Sequence, residues 1–155
     1  EQFPKAGHNG DGALALLGVV NALLRKIKES ARGETEALFK EERQALQKTT
    51  ESDAWLKRRE QELKALAQSG YLAQRSDLMA VLLRWMGDCL LQASGRGGQG
   101  VAFESEKEES LRVGALLGEE NLLQRIECLE RLIENLETTV SEPLAIEVGI
   151  LNAFA

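Results

Sequence analysis

The residue types that do chemistry are few in this chain and widely spread. His8 is the only histidine, and it lies in a glycine-rich opening with neither Cys89 nor Cys128 near it in sequence. Histidine-dependent acid–base catalysis and a His/Cys metal cluster therefore lack their partners. Each cysteine falls in a strongly apolar helical stretch, where a small reduced thiol packs as a hydrophobe. Gly95-Arg-Gly-Gly-Gln-Gly100 satisfies G-x-G-x-x-G letter by letter. That motif holds a pyrophosphate only between a strand and a helix, and a helical pattern precedes it here, so a plain loop is expected. No G-x-x-x-x-G-K-[ST] occurs, and no direct nucleotide site follows from the sequence.

Glu104, Glu106, Glu108 and Glu109 could supply oxygen ligands, yet as a run they read as a solvated acidic face. Lys57, Arg58 and Arg59 beside Trp55 are the best candidate for gripping nucleic acid. Glu60 and Glu62 interrupt them, and helical spacing lets Arg58 pair with Glu62, so a charged solvated face is expected in place of a DNA contact. Arg84 and Asp88 are the sole charges between Asp77 and Arg96 and sit one helical turn apart. On so apolar a helix they are expected to anchor partners at a helix junction, and Glu147, between Ile146 and Val148, is read the same way. No catalytic residue, cofactor or metal ligand emerges, and the chain is not expected to be an enzyme.

The elements that would position these residues are helical. Aromatics are 5% and proline contributes 2 residues, against abundant Leu, Ala, Glu, Gln and Arg, which favours helix over strand. At 155 residues the chain suits one ordinary domain. The formal charge of -6 is unevenly shared: residues 1–77 hold 13 basic and 12 acidic side chains, and residues 78–155 hold 6 and 13. The acidic half cannot grip a phosphate backbone, so a protein partner is expected. There is no membrane-length apolar run and no signal-peptide pattern, consistent with a cytoplasmic chain. It starts at Glu1, not Met, which suggests a fragment or a processed chain.

Residues 1–12 read as a flexible tail or linker, and 13–155 as a single all-helical domain. Leu14, Leu17, Val20, Leu24 and Ile27 mark a first helix, capped by Asp11 and ended by Gly33. The charged stretch from Glu34 to Gln68 would be roughly 52 Å long as one helix at 1.5 Å per residue, too long for a small domain. Thr50 with Asp53 has capping-box spacing, so either a break or a projecting hairpin arm over 34–70 is expected. Ser69 and Gly70 then punctuate. Tyr71–Ala93 carries apolar stripes on two sides, which marks a central helix with Trp85 in the core. A loop, a short acidic helix stopped by Gly118, an amphipathic helix from Glu119, and a last helix from Glu142 with Pro143 in its first turn complete the chain. No segment alternates with period two. The expected fold is an all-α bundle of five to six helices with a long charged helix or helical hairpin arm.

The second half also resembles a known family. Met79-Ala-Val-Leu-Leu-Arg-Trp-Met-Gly-Asp-Cys-Leu-Leu91, an acidic helix, an amphipathic helix and Ser141-Glu-Pro-Leu-Ala-Ile-Glu147 look like the C-terminal collar domain of the delta-prime subunit of the bacterial DNA polymerase III clamp loader. Family members carry a Trp followed three residues later by Asp, matched by Trp85 and Asp88, and an Asn-x-x-Leu-Ala-Leu-Glu ending, matched at Leu144, Ala145 and Glu147. Gly87 stands where the family often has Arg, and Ser141 at the Asn position. The resemblance covers residues 72–155. It implies a non-catalytic oligomerisation module that packs against the collar domains of other clamp-loader subunits during DNA replication, in a ring whose ATPase-type modules lie elsewhere. Arg84, Trp85, Asp88, Leu144 and Glu147 would be structural anchors or subunit contacts, with Trp55 and Phe103 as exposed interface anchors. The alternative reading is a stand-alone helical adaptor or regulatory protein whose 34–68 segment binds a partner helix.

Overall fold

The computed structural model describes residues 9–46, 53–98, 100–138 and 141–155. Among them every regular element is helical: α1 (Asn9–Leu46), α2 (Asp53–Ala93), a 3-10 turn (Glu104–Glu106), α3 (Lys107–Leu136) and α4 (Glu142–Phe154). The all-α class stands, but with four α-helices where five to six were expected.

Three glycines explain the difference. Gly33 and Gly70 were expected to end or separate helices, and both are carried inside one. Neither has positive φ, and a Cβ at either would meet nothing within 4 Å. A helical glycine costs about 1 kcal/mol relative to alanine, which the helix formers flanking these two outweigh. Gly118 behaves differently. It adopts φ 74° and ψ 165°, a region essentially restricted to glycine, and kinks α3 into two helical segments. Asn121 answers the break by donating its side-chain Nδ2 to the Leu117 carbonyl at 2.8 Å.

The start of α1 also differs from the expected tail. Residues 9–12 are helical, so Asp11 lies in the first turn, where its charge suits the positive end of the helix dipole. Residues 1–8, with His8, and the expected Thr50 break lie outside the described residues.

The chain divides into two compact units, where a single domain with an arm over 34–70 was expected. One is Val20–Asp77, a hairpin of α1 and α2. Glu42 meets Arg59 and Lys28 lies over Tyr71, so paired residue numbers sum to about 100 and the helices run antiparallel. Val20, Leu24, Ala31, Leu63 and Tyr71 are buried. The apolar face of the first helix, at Val20 and Leu24, helps build this hairpin.

Arg59 makes a bidentate polar contact between the two helices of this unit. Its Nε donates to Glu42 Oε2 at 2.7 Å and its Nη2 to Oε1 at 2.7 Å, a bidentate pair, and Nη1 reaches Glu62 at 3.2 Å. The expected Arg58–Glu62 pair is thus replaced by one from the neighbouring arginine, which faces α1. The hydrogen bond from Arg59 holds the Glu42 carboxyl below the usual carboxylate range.

The other unit comprises residues 9–19 with Leu78–Ala155. Met79, Met86 and Cys89 of α2, Leu122, Leu129 and Leu132 of α3, and Ala145, Ile146, Ile150 and Ala153 of α4 are among its buried residues. Two glycines set its helix contacts. A Cβ on Gly114 of α3 would stand 2.6 Å from the Cys89 carbonyl oxygen of α2, and one on Gly149 of α4 would stand 2.7 Å from Leu132 Cβ of α3. Real side chains do not fit at such distances, so both crossings require glycine.

Candidate subunit interface

Asp88 is 3% exposed, and its carboxylate is fully engaged. The amide of Ala102 donates to its Oδ1 at 2.8 Å and that of Phe103 to its Oδ2 at 2.9 Å. Both amides precede the 3-10 turn that leads into α3, so a side chain on α2 supplies the acceptors that this helix entry needs. Arg84, one turn away, is exposed. Burial, with the adjacent Asp88 charge, pushes the Cys89 thiol up to about 11, which leaves it an inert packing group. Trp85, expected in the core, is half-buried. Trp55 and Phe103, expected as exposed anchors, are also half-buried.

The loop 94–100 is no phosphate cradle. It follows α2 and not a strand, and the side chain of Gln92 covers Gly97 so closely that a Cβ there would lie 1.7 Å from Gln92 Oε1. Gln99 is outside the described residues. Among the described residues, no group of three His, Cys, Asp or Glu is placed to hold a metal ion, and no helix is long and apolar enough to cross a membrane.

The segment 141–147 starts α4. The Ala145 amide donates to the Ser141 carbonyl at 2.9 Å, and Pro143 occupies the first turn, where its missing N–H has no partner to lose. The helix then alternates environments. Ala145, Ile146, Gly149 and Ile150 are buried against the core, Glu147 is exposed, and Leu144 and Val148 remain 54% and 48% exposed. These last two are one turn apart, so they share a face. Arg125 of α3 locks the far end: its Nη1 donates to the Ala153 carbonyl at 2.7 Å, satisfying an acceptor that the helix leaves open. No spacing rule points to this contact, since the two residues are 28 apart.

Between α3 and α4 runs a groove of about 270 Å³, lined among others by Cys128, Arg131, Leu132, Leu144, Val148 and Asn152. Its lining is apolar apart from the amides of Asn135 and Asn152 and a single cation, Arg131. The hairpin unit has its own groove of about 400 Å³, lined among others by Phe39, Leu63 and Tyr71 and by Lys28, Arg32 and Lys64. Arg32 is bound to Glu36 and Lys64 to Glu60, so these charges are largely answered within each helix.

Compared with family models, with curated proteins and with solved structures, the chain matches none.

Proposed function

We propose that this chain is a non-catalytic assembly domain, a helical module whose work is to hold protein subunits together. More particularly, it is the collar domain of a delta-prime-type subunit in a DNA polymerase III clamp loader, packing against other loader subunits while the sliding clamp is placed on DNA. The observation that carries this reading is the apolar face of Leu144 and Val148 on α4. Two large aliphatic side chains, one turn apart and about half exposed, supply an apolar face on which a partner can pack. They lie in and beside the segment whose sequence resembles the family ending. Asp88, of the other matched pair, fits as an internal support: it fixes the entry to α3, against which α4 packs.

The test is recovery of the chain from native extract with its bound proteins identified. Polymerase III subunits among them support the assignment, and an unrelated complex containing none of them refutes it. A second reading draws on the hairpin groove around Leu63 and Tyr71, which suits an adaptor that receives a partner helix. Under that reading, substitutions in Val20–Asp77 abolish partner recovery while Leu144 and Val148 variants leave it intact.

A further inference from the structure

The chemistry of the partner can be taken further, on the proposed reading that the α4 face is an assembly surface. Residues 119–155 contain eight glutamates and two arginines. Both arginines are engaged, Arg125 on the Ala153 carbonyl and Arg131 on Glu127 at 3.7 Å. Along α3, Glu127 and Glu134 lie one turn to either side of Arg131, which lines the groove, since residues three and four apart are neighbours on a helix. Glu147 lies three residues from Leu144, on the outer flank of α4. Glu127, Glu134 and Glu147 are all exposed. The groove lined by Cys128, Leu144 and Val148 also carries the cation Arg131, and exposed carboxylates on both helices flank it outside that lining.

We infer that the α3–α4 groove receives a cationic amphipathic helix of a partner protein, its apolar stripe seated on Leu144 and Val148 and its Lys or Arg side chains reaching Glu127, Glu134 and Glu147. Charge complementarity selects this occupant. A second copy would bring the same acidic surplus to the same face, and like charges across an interface are penalised. A cationic helix gains attraction on both flanks, and the long stems of its Lys or Arg residues cover apolar surface while their heads reach the carboxylates. The geometry is helix-in-groove recognition, with anchors at i, i+4 and i+7.

The experiment titrates the full chain with two helical peptides of about 18 residues, long enough to hold a helix, that share one Leu stripe and differ in having Lys or Glu beside it. The Lys peptide binds and the Glu peptide does not, and added salt weakens the complex. Val148→Asp abolishes binding, and Glu127→Lys with Glu134→Lys weakens it about tenfold. Glu104→Lys with Glu106→Lys, in the same unit but off the groove, changes it less than twofold. Circular dichroism of each variant reports that the helices persist. Equal binding of both peptides, indifference to Val148→Asp, equal loss in the Glu104/Glu106 variant, or a dimer of the chain that buries this face would overturn the inference. Recovery of loader subunits without Lys-peptide binding sinks the inference alone. Lys-peptide binding without loader subunits sinks the clamp-loader reading alone.

Discussion

The carboxylate of Asp88, on α2, accepts the main-chain amide of Phe103 at 2.9 Å with the Ala102 amide beside it, so one buried side chain fixes the approach to α3. Hydrogen bonds to charged groups are worth about 1.5–3 kcal/mol, and two amides lose their acceptor together if the carboxylate goes. Asp88→Ala is expected to destabilise the fold by about 2 kcal/mol, with Asp88→Asn intermediate because an amide oxygen retains one acceptor. Urea unfolding followed by circular dichroism checks this. Equal stability of Asp88→Ala and the wild type would mean that the pair of contacts is incidental.

Substituting alanine for different glycines should give opposite signs. Gly118, at φ 74° and ψ 165°, has a backbone that no other residue adopts cheaply, and Gly118→Ala should cost about 1–3 kcal/mol. Gly33→Ala and Gly70→Ala meet open space in a helix and should each add about 0.5–1 kcal/mol. Midpoints from the same denaturant series decide the matter, and a uniform sign across all three would contradict the structure.

Close helix crossings give a second steric test. At Gly114 the obstacle to a methyl group is the Cys89 carbonyl oxygen, and at Gly149 it is Leu132 Cβ. Neither is the far end of a flexible side chain. Gly114→Ala and Gly149→Ala should each lower stability by about 1–3 kcal/mol, despite the better helix propensity of alanine.

Acid should loosen the hairpin through Glu42. Its folded-state pKa is lowered, first by the hydrogen bond from Arg59, so its contribution is present above the unfolded value of about 4.3 and is lost as pH falls through the folded value. Glu42→Gln should flatten part of the decline in stability below about pH 4 while leaving neutral-pH behaviour close to that of other exposed pairs. Thermal unfolding at a series of pH values measures it. An unchanged acid limb would show that Glu42 and Arg59 do not interact in solution.

Much of the fold was legible in the sequence because it rests on local pattern. The apolar spacing of Leu122, Ile126, Leu129 and Ile133 marks one face of α3, and Pro143 announces the start of α4. Helix boundaries were harder where glycine decides them. Gly33, Gly70 and Gly118 are the same residue, and only the φ imposed by surrounding packing makes the third a stop. The polar anchor at Asp88 was visible as a lone acid on an apolar helix, although its acceptor role depends on a loop that turns back some 14 residues later. Arg125 gave no signal, because its partner is a main-chain carbonyl brought close only by the packing of α4 on α3. The half-buried state of Trp55 and Trp85 was equally hidden, since a spacing rule assigns a face but not the depth of its cover.

The proposed assembly surface of Leu144 and Val148 is tested most directly by reconstitution with clamp-loader subunits. The full chain is mixed with purified loader subunits and resolved by size-exclusion chromatography, beside a Leu144→Asp/Val148→Asp variant that matches it in circular dichroism. Co-elution of the wild type with those subunits, and its loss in the variant, is the predicted result. A wild-type chain that elutes alone, or a variant that still co-elutes, would contradict the account.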